Sequence, residues 1–353
     1  MTDPILVLAW LVLAHLIADF VLQTSTLARA KSRPWGEAFG GLVAHALIVA
    51  ACLVPVGLAY GAPGWTLVIL TAISHVLIDR SKVWLTQRAA AGALAEAHRR
   101  HEGPQPPDHL GRAWTARPAA LFVADQVAHL AVAAGLWAVL LVPNAPLSGW
   151  TSAIDGWLGG WDRAVVHDVV STGVVLASLA IVNIVAAALF VAILVRPVEQ
   201  AEGEMRWGGR VAPPPDPDFA AAGQGAPPVR RWTLRIGMFD AARIEAVADR
   251  TPAGRDRRHE DAADVADGPG PAAPAARVGA TIGVLERILI VVFVLTGSEA
   301  AIGFVVAAKT LARFRLLDDR DFAEYYLLGT LASVAVAIVT ALVGRAALTA
   351  LVG

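Results

Sequence analysis

Apolar runs of about bilayer width recur along this chain, and they restrict what it can fold into. They are Ile5–Leu22, Phe39–Leu58, Trp65–Ile78 running on to about Leu85, Ala119–Val142, Val169–Val195, Ile282–Thr296, Ala300–Ala312 and Tyr326–Leu351. Inside hydrocarbon each backbone N–H and C=O must find its partner within the protein, so such segments are expected to be helices. A mean hydropathy of +0.57 agrees with that class rather than with a soluble globular chain. The expected fold is therefore all-α, a polytopic transmembrane helix bundle of about eight spans. The sixth and seventh runs are short and separated by a Gly-Ser-Glu turn, so they read either as two tilted helices or as a hairpin that does not fully cross.

Three of these runs carry a histidine and an aspartate four residues apart: His15 and Asp19, His75 and Asp79, and Asp125 and His129, while a fourth run carries His45. Residues at i and i+4 share a helix face, so each pair can aim two side chains at one point. An ionisable group costs about 2.5 kcal/mol or more at a bilayer centre, which makes seven of them a candidate site. Taken singly, a pair also reads as a self-contained hydrogen-bonded couple, and His45 as an interhelical donor.

Loop charge sets the expected orientation. Gln23–Ala38 holds Arg29, Lys31 and Arg33 against Glu37, and Arg80–Pro118 holds seven Lys and Arg against three acids. Ala59–Gly64 has no charge, and Pro143–Asp168 has one arginine against three aspartates. Positive loops stay in the cytoplasm, so both termini are expected outside and each even-numbered helix starts from the cytoplasm. On that topology all seven polar residues fall at one depth in the cytoplasmic half, since a helix rises about 1.5 Å per residue. The order reverses from His-x3-Asp to Asp-x3-His as helix direction reverses. The first run lacks a basic leader and a small-residue cleavage site, so it is expected to be retained rather than removed as a signal.

From about Arg196 to Ala276 the composition turns to proline, glycine, alanine and charge, which cannot bury enough apolar surface to offset ordering. The expected organisation is a five-helix domain over 1–195, a disordered cytoplasmic linker over 196–278 and a three-helix domain over 279–353. Within the linker, RRWTLRIGMFDAARIEAVA is periodic enough for a short helix or strand. The Trp-rich segment SGWTSAIDGWLGGWDRA suits an interfacial anchor on the outer face.

Neutral imidazoles and carboxylates are ligands of borderline divalent metals, and hydrolytic sites leave a position open for water. The single cysteine, Cys52, excludes a thiolate zinc site. His15, Asp19, His45, His75, Asp79, Asp125 and His129 suffice for one or two ions, zinc being the expected metal, with Asp19, Asp79 or Asp125 as general base where not ligating. Gln23 and Gln126 are placed to orient ligands, and Lys31 and Lys82 to attract an anionic head group at the cytoplasmic mouth. Both lysines also read as ordinary positive-inside anchors. His98, His101 and His109 lie in a polar loop and read as solvated, and His167 has no visible partner. Further along, Glu286, Lys309 and Arg313 cluster in the cytoplasmic half, either as neutralising ion pairs or as lining for a head-group pocket. No basic run is interleaved with aromatics, so nucleic acid is not an expected partner.

The phrases His15-x3-Asp19-Phe20-x2-Gln23, His45, His75-x3-Asp79 with Lys82, and Asp125-Gln126-x2-His129 resemble an uncharacterised bacterial integral membrane family, domain of unknown function 3307. Ile282–Arg287, Ile302–Phe314 and Glu324–Ser333 resemble the carboxyl-terminal extension of its longer members. The ligand style is also similar to metal-dependent hydrolases grouped near phospholipase C and P1-type nucleases, an analogy of site chemistry alone. The resemblance implies a location in the bacterial cytoplasmic membrane. The expected activity is a cytoplasm-facing metal-dependent hydrolase of a lipid-linked or amphipathic phosphoester, with membrane lipid as partner. A cation- or proton-handling transporter and a metal-responsive membrane scaffold are the alternatives.

Overall fold

The computed structural model describes residues 3–33, 35–101, 116–195, 230–236, 239–246, 273–314, 317 and 320–352. Met1–Gly209 and Gly283–Gly353 form one compact unit, and Arg210–Ile282 a second.

Helix α1 (Pro4–Leu16) starts at Asp3, whose carboxylate accepts from the Ile5 amide at 2.8 Å. Pro4 occupies the first turn, where its missing N–H leaves nothing unpaired. The helix continues through a π-turn at Ile17–Val21, closed by the Leu22 amide on the Ile17 carbonyl at 2.8 Å. Helix α2 (Ser25–Lys31) is short and begins at Thr24, whose hydroxyl accepts from the Leu27 amide.

Helices α3 (Trp35–Tyr60) and α4 (Ala62–His101) are joined by Gly61 alone. Its φ of +63° is open to glycine at little cost. Helix α4 has 40 residues, about 60 Å at 1.5 Å each, and among the described residues its Ala62–Ala89 stretch is apolar enough to cross a membrane.

Helix α5 (Arg117–Leu136) runs into a π-turn at Trp137–Leu141, and α6 (Ser148–Leu158) follows as a short helix of the Trp-rich segment. Trp157 is 83% exposed, as an interfacial anchor requires. Helix α7 (Arg163–Ile181) passes through a third π-turn at Val182–Ala186 into α8 (Ala187–Val195). The remaining helices are α9 (Ala273–Leu295), α10 (Ala301–Ala312) and α11 (Arg320–Val352).

Six helical stretches among the described residues are long and apolar enough to cross a membrane: Pro4–Val21, Gly36–Tyr60, Ala62–Ala89, Arg117–Leu141, Arg163–Val195 and Ala323–Val352. The other two expected runs lie in α9 and in the 12-residue α10, which are not among these six. Large apolar side chains such as Leu47, Val139 and Leu331 face outward on these helices, as in a protein solvated by lipid.

The expected boundary between five amino-terminal and three carboxyl-terminal helices is not a packing boundary. Helix α1 is apolar on all sides and serves two cores. Its Leu6 and Leu13 pack with Val174, Leu179, Ile290, Val294 and Ala337. Its Leu11 and Ala14, with Ala18 of the following π-turn, pack with Val49, Leu53, Leu67 and Leu141. At the first of these cores the π-turn of α7 exposes the Asn183 carbonyl, which accepts from Arg287 Nε of α9 at 2.6 Å, and Arg287 Nη1 donates to Ser333 Oγ of α11 at 3.1 Å.

In the second unit, β1 (Arg230–Ile236) and β2 (Phe239–Ala246) pair antiparallel, with an irregularity between Leu234 and Arg235. The periodic patch within the linker is thus a hairpin, an exception to the all-α expectation and to a linker without structure. Most of 196–278 lies outside the described residues.

Candidate metal centre

The seven histidines and aspartates meet inside the amino-terminal helices, and each is at most 8% exposed. They come from α1 and its π-turn, α3, α4 and α5. Combinations of His15, Asp19 and His75, of His45, His75 and Asp79, and of Asp79, Asp125 and His129 each offer atoms within 4.8 Å of one another.

At the centre, three atoms form a nearly equilateral triangle. His45 Nε2 lies 3.1 Å from Asp19 Oδ1, His75 Nε2 lies 3.0 Å from the same oxygen, and the two Nε2 atoms are 3.0 Å apart. Asp79 Oδ2 is 3.6 Å from His45 Nε2. Proton counting shows the strain in this arrangement. If both imidazoles donate to Asp19, two N–H groups face each other. If one donates to the other, the acceptor carries no Nε2 proton and the single N–H is already used, so none is left for the carboxylate. A cation satisfies all three lone pairs at once. The centre of a 3.0 Å triangle lies about 1.75 Å from each corner, close to the 2.0–2.1 Å at which such ligands usually hold a divalent ion. The donor set therefore fits a metal.

His15 does not point into this triangle. Its Nε2 donates to Gln126 Oε1 at 3.2 Å, while Gln126 Nε2 donates to Asp125 Oδ2 at 3.0 Å and reaches Asp19 Oδ2 at 3.5 Å. The π-turn at Ile17–Val21 contains Asp19, so this pair departs from regular i,i+4 geometry: Asp19 Oδ1 meets His45 and His75, while His15 meets Gln126. Gln126 is thereby the residue that orients His15, Asp19 and Asp125 together.

The carboxylates are matched by lysines. Lys31 Nζ donates to Asp79 Oδ2 at 2.7 Å and to Gln23 Oε1, and Lys82 Nζ donates to Asp125 Oδ2 at 2.6 Å. Gln23 thus orients Lys31 rather than a ligand. Lys82 also lies over the Phe122 ring at 4.9 Å. With neutral imidazoles, three carboxylates and two ammoniums leave a formal charge of −1 (−3 + 2), which one dication turns into +1.

Lys31 reaches the centre because α3 has glycine at position 41. A Cβ there would lie 2.8 Å from the Lys31 amide nitrogen and from Ala30 Cβ. Sequence reading placed Lys31 at the mouth but passed over Gly41, whose only signal is a small residue where a short charged segment folds back. It also passed over Thr71, one turn before His75. With Ser74, Leu11, Val49, Leu53 and Ala133, Thr71 lines a small cavity against His15, His75 and His129.

Three buried atoms of the cluster lack a partner: His45 Nδ1, Asp125 Oδ1 and His129 Nε2. His129 Nδ1 instead lies 2.8 Å from the Asp125 carbonyl oxygen, the bond of a protonated Nδ1.

The remaining candidates fall elsewhere. Lys309 Nζ pairs with Glu286 Oε2, and Arg313 stacks over Tyr326 at 5.7 Å. These contacts join α9, α10 and α11 and do not involve the His/Asp cluster. His167 is paired after all, at 3.3 Å from Asp3 Oδ2. The side chains of His98, His101 and His109 lie outside the described residues.

Residues 7–156 match the family model described as "Protein of unknown function (DUF3307)". The matched segment contains every residue of the His/Asp cluster. No curated protein and no solved structure matches the chain.

Proposed function

We propose that this chain is a metal-dependent hydrolase embedded in a membrane, with one divalent ion held by Asp19, His45 and His75 and approached by Asp79. The observation that carries this reading is the 3.0–3.1 Å triangle of two Nε2 atoms and one carboxylate oxygen, which no set of protons satisfies. Three facial ligands leave positions for water and substrate. An ion held there would lower the pKa of a bound water toward neutrality and polarise a phosphoryl oxygen. In hydrolysis the water oxygen would bond to phosphorus as the P–O bond to the leaving group breaks, and a carboxylate of the cluster would take the water's proton.

The substrate class follows from charge and position. A centre at +1 with its ion favours an anionic reactant, and Lys82, whose side chain is 28% exposed, stands where a phosphate can reach it. On the positive-inside assignment that approach is cytoplasmic, and the substrate is a lipid-linked or amphipathic phosphoester in a bacterial inner membrane. Whether α9 and α10 cross or turn back as a hairpin, the number of full crossings stays even and both termini share the outer side.

The test is elemental analysis of detergent-purified protein prepared without chelator, followed by turnover of amphipathic phosphomonoesters and diesters. About one bound zinc per chain, absent in His45→Ala and His75→Ala, is the expected result. A metal-free wild type sinks the reading. Two histidines and one carboxylate on one face also suit Fe(II) or Mn(II), which the same measurement distinguishes.

A second reading, cation or proton passage, draws on the cavity beyond the histidines toward Thr71. Its lining by Leu11, Val49, Leu53 and Ala133 favours a closed chamber over a polar path. Ion flux in proteoliposomes that is lost in Thr71→Leu would favour passage.

A further inference from the structure

The unpartnered atoms beside the triangle belong to a different group of ligands. Asp125 Oδ1 and His129 Nε2 are buried and unpaired, in residues 4% and 5% exposed. Both are lone-pair acceptors. Asp125 uses its other oxygen for Lys82 and Gln126. His129 carries its proton on Nδ1, where the Asp125 carbonyl takes it, which leaves Nε2 free to ligate. Asp79 completes the set within 4.8 Å, and the same Asp79 approaches His45 at 3.6 Å, so one carboxylate reaches both groups. Two orphaned acceptors and a bridging carboxylate call for a cation rather than for an anion.

Charge decides when that cation can enter. One dication in the triangle takes the centre from −1 to +1, and a second takes it to +3. In a low-dielectric interior such an excess is expelled unless an anion comes with it. Lys31 and Lys82 already neutralise Asp79 and Asp125, so they compete with the second ion until an anion draws them away. A phosphate dianion beside the lysines reduces +3 to +1, the same balance as the one-ion state.

We infer that Asp79, Asp125 and His129 form a second divalent-cation site that fills together with a phosphate dianion or phosphomonoester approaching at Lys82, with Lys31 beside it. The inference rests on the first ion at Asp19, His45 and His75. Two ions sharing a carboxylate supply the two-metal clamp for displacement at phosphorus, and the second arrives only with substrate-like charge. By linkage, the factor by which phosphate tightens the second ion equals the factor by which that ion tightens phosphate.

The experiment is a Mn²⁺ titration of the detergent-purified full chain, with stoichiometry from equilibrium dialysis and ion–ion coupling from electron paramagnetic resonance. It has three arms: no phosphate, inorganic phosphate, and phosphatidic acid in the micelle. The expected result is one ion without phosphate and two with it, the pair showing spin coupling. Response to both additions assigns the site to the phosphate group itself, whereas response to phosphatidic acid alone assigns it to a lipid head group. Asp125→Asn and His129→Gln should keep the first ion, which also reports that they are folded, and lose the second in every arm. One ion in all arms overturns the inference while leaving the first site intact. Two ions without phosphate overturn its anion dependence, and a second ion that survives in both variants overturns its ligands. No ion in any arm overturns the first site as well.

Discussion

Lys31 and Asp79 are 48 residues apart in sequence and meet at 2.7 Å inside the helix bundle, both essentially shielded from solvent. This ion pair sits on the edge of the His/Asp cluster and sets two opposing demands. Without an ion, Lys31 compensates a buried carboxylate. With an ion, its positive charge opposes the metal. Lys31→Met should therefore act in opposite directions on stability and on affinity. Removing one partner of a buried pair costs about 3–5 kcal/mol, so the metal-free variant should melt well below wild type. Its metal affinity should rise, because Asp79 is left free to ligate. Melting in detergent with and without added Zn²⁺ reads both signs, and a variant weakened in both respects contradicts the competition.

Gly41 makes that pair possible. An added Cβ meets the backbone of Lys31, which cannot rotate away as a side-chain end can. Gly41→Leu should push α2 off α3 and withdraw Lys31 from Asp79. Overpacking of this kind costs about 1–3 kcal/mol. The local readout is faster trypsin cleavage after Arg29 or Lys31 in folded protein. Gly40→Leu, one residue earlier and with nothing within 4 Å of its Cβ, should leave cleavage unchanged.

Metal removal should behave as ligand removal from a folded site. An ion present at a hundred times its dissociation constant stabilises the native state by about 2.7 kcal/mol. Chelator should lower the melting temperature of wild type and have little effect on His45→Ala or His75→Ala, which have no site to empty. Gln126→Leu is the informative intermediate. Gln126 contacts His15, Asp19 and Asp125 without being a ligand. Its loss should weaken the ion by about 10–100-fold while leaving the stoichiometry at saturation unchanged.

The centre was legible in sequence to the extent that regular helix geometry carried it. The i,i+4 spacing of His75 with Asp79 and of Asp125 with His129, and the isolation of His45 in an apolar run, place these groups on interior faces. What spacing does not carry is any departure from that geometry. The π-turn at Ile17–Val21 sends His15 to Gln126 and Asp19 to His45 and His75, and no residue pattern around Asp19 announces it. Helix α2 has seven residues, too few for a periodic signal, and its inward approach depends on the absence of a side chain at Gly41. The split into five and three helices failed for a different reason. A polar linker separates segments in sequence without preventing them from packing, and α1 shares one core with α7, α9 and α11.

Arg287 joins the helices on either side of that linker, and its chemistry gives the last prediction. Its Nε and Nη1 donate to the Asn183 carbonyl and to Ser333 Oγ, while Nη2 is buried without a partner. No carboxylate pairs with it among the described residues, and the neighbouring Glu286 is held by Lys309. The guanidinium is thus retained for its hydrogen bonds to a carbonyl exposed by the π-turn rather than for a salt bridge. Arg287→Ala removes both bonds, leaves that carbonyl unpaired and opens a cavity, and should cost about 2–5 kcal/mol. Arg287→Met fills most of the space and removes the buried charge, so it should cost less than alanine although it restores neither bond. Arg287→Lys keeps the charge but replaces the planar fork with a single point, and should be no better than methionine. Chemical denaturation monitored by tryptophan fluorescence separates the three, and lysine outperforming methionine would show that charge, not carbonyl capture, keeps arginine there.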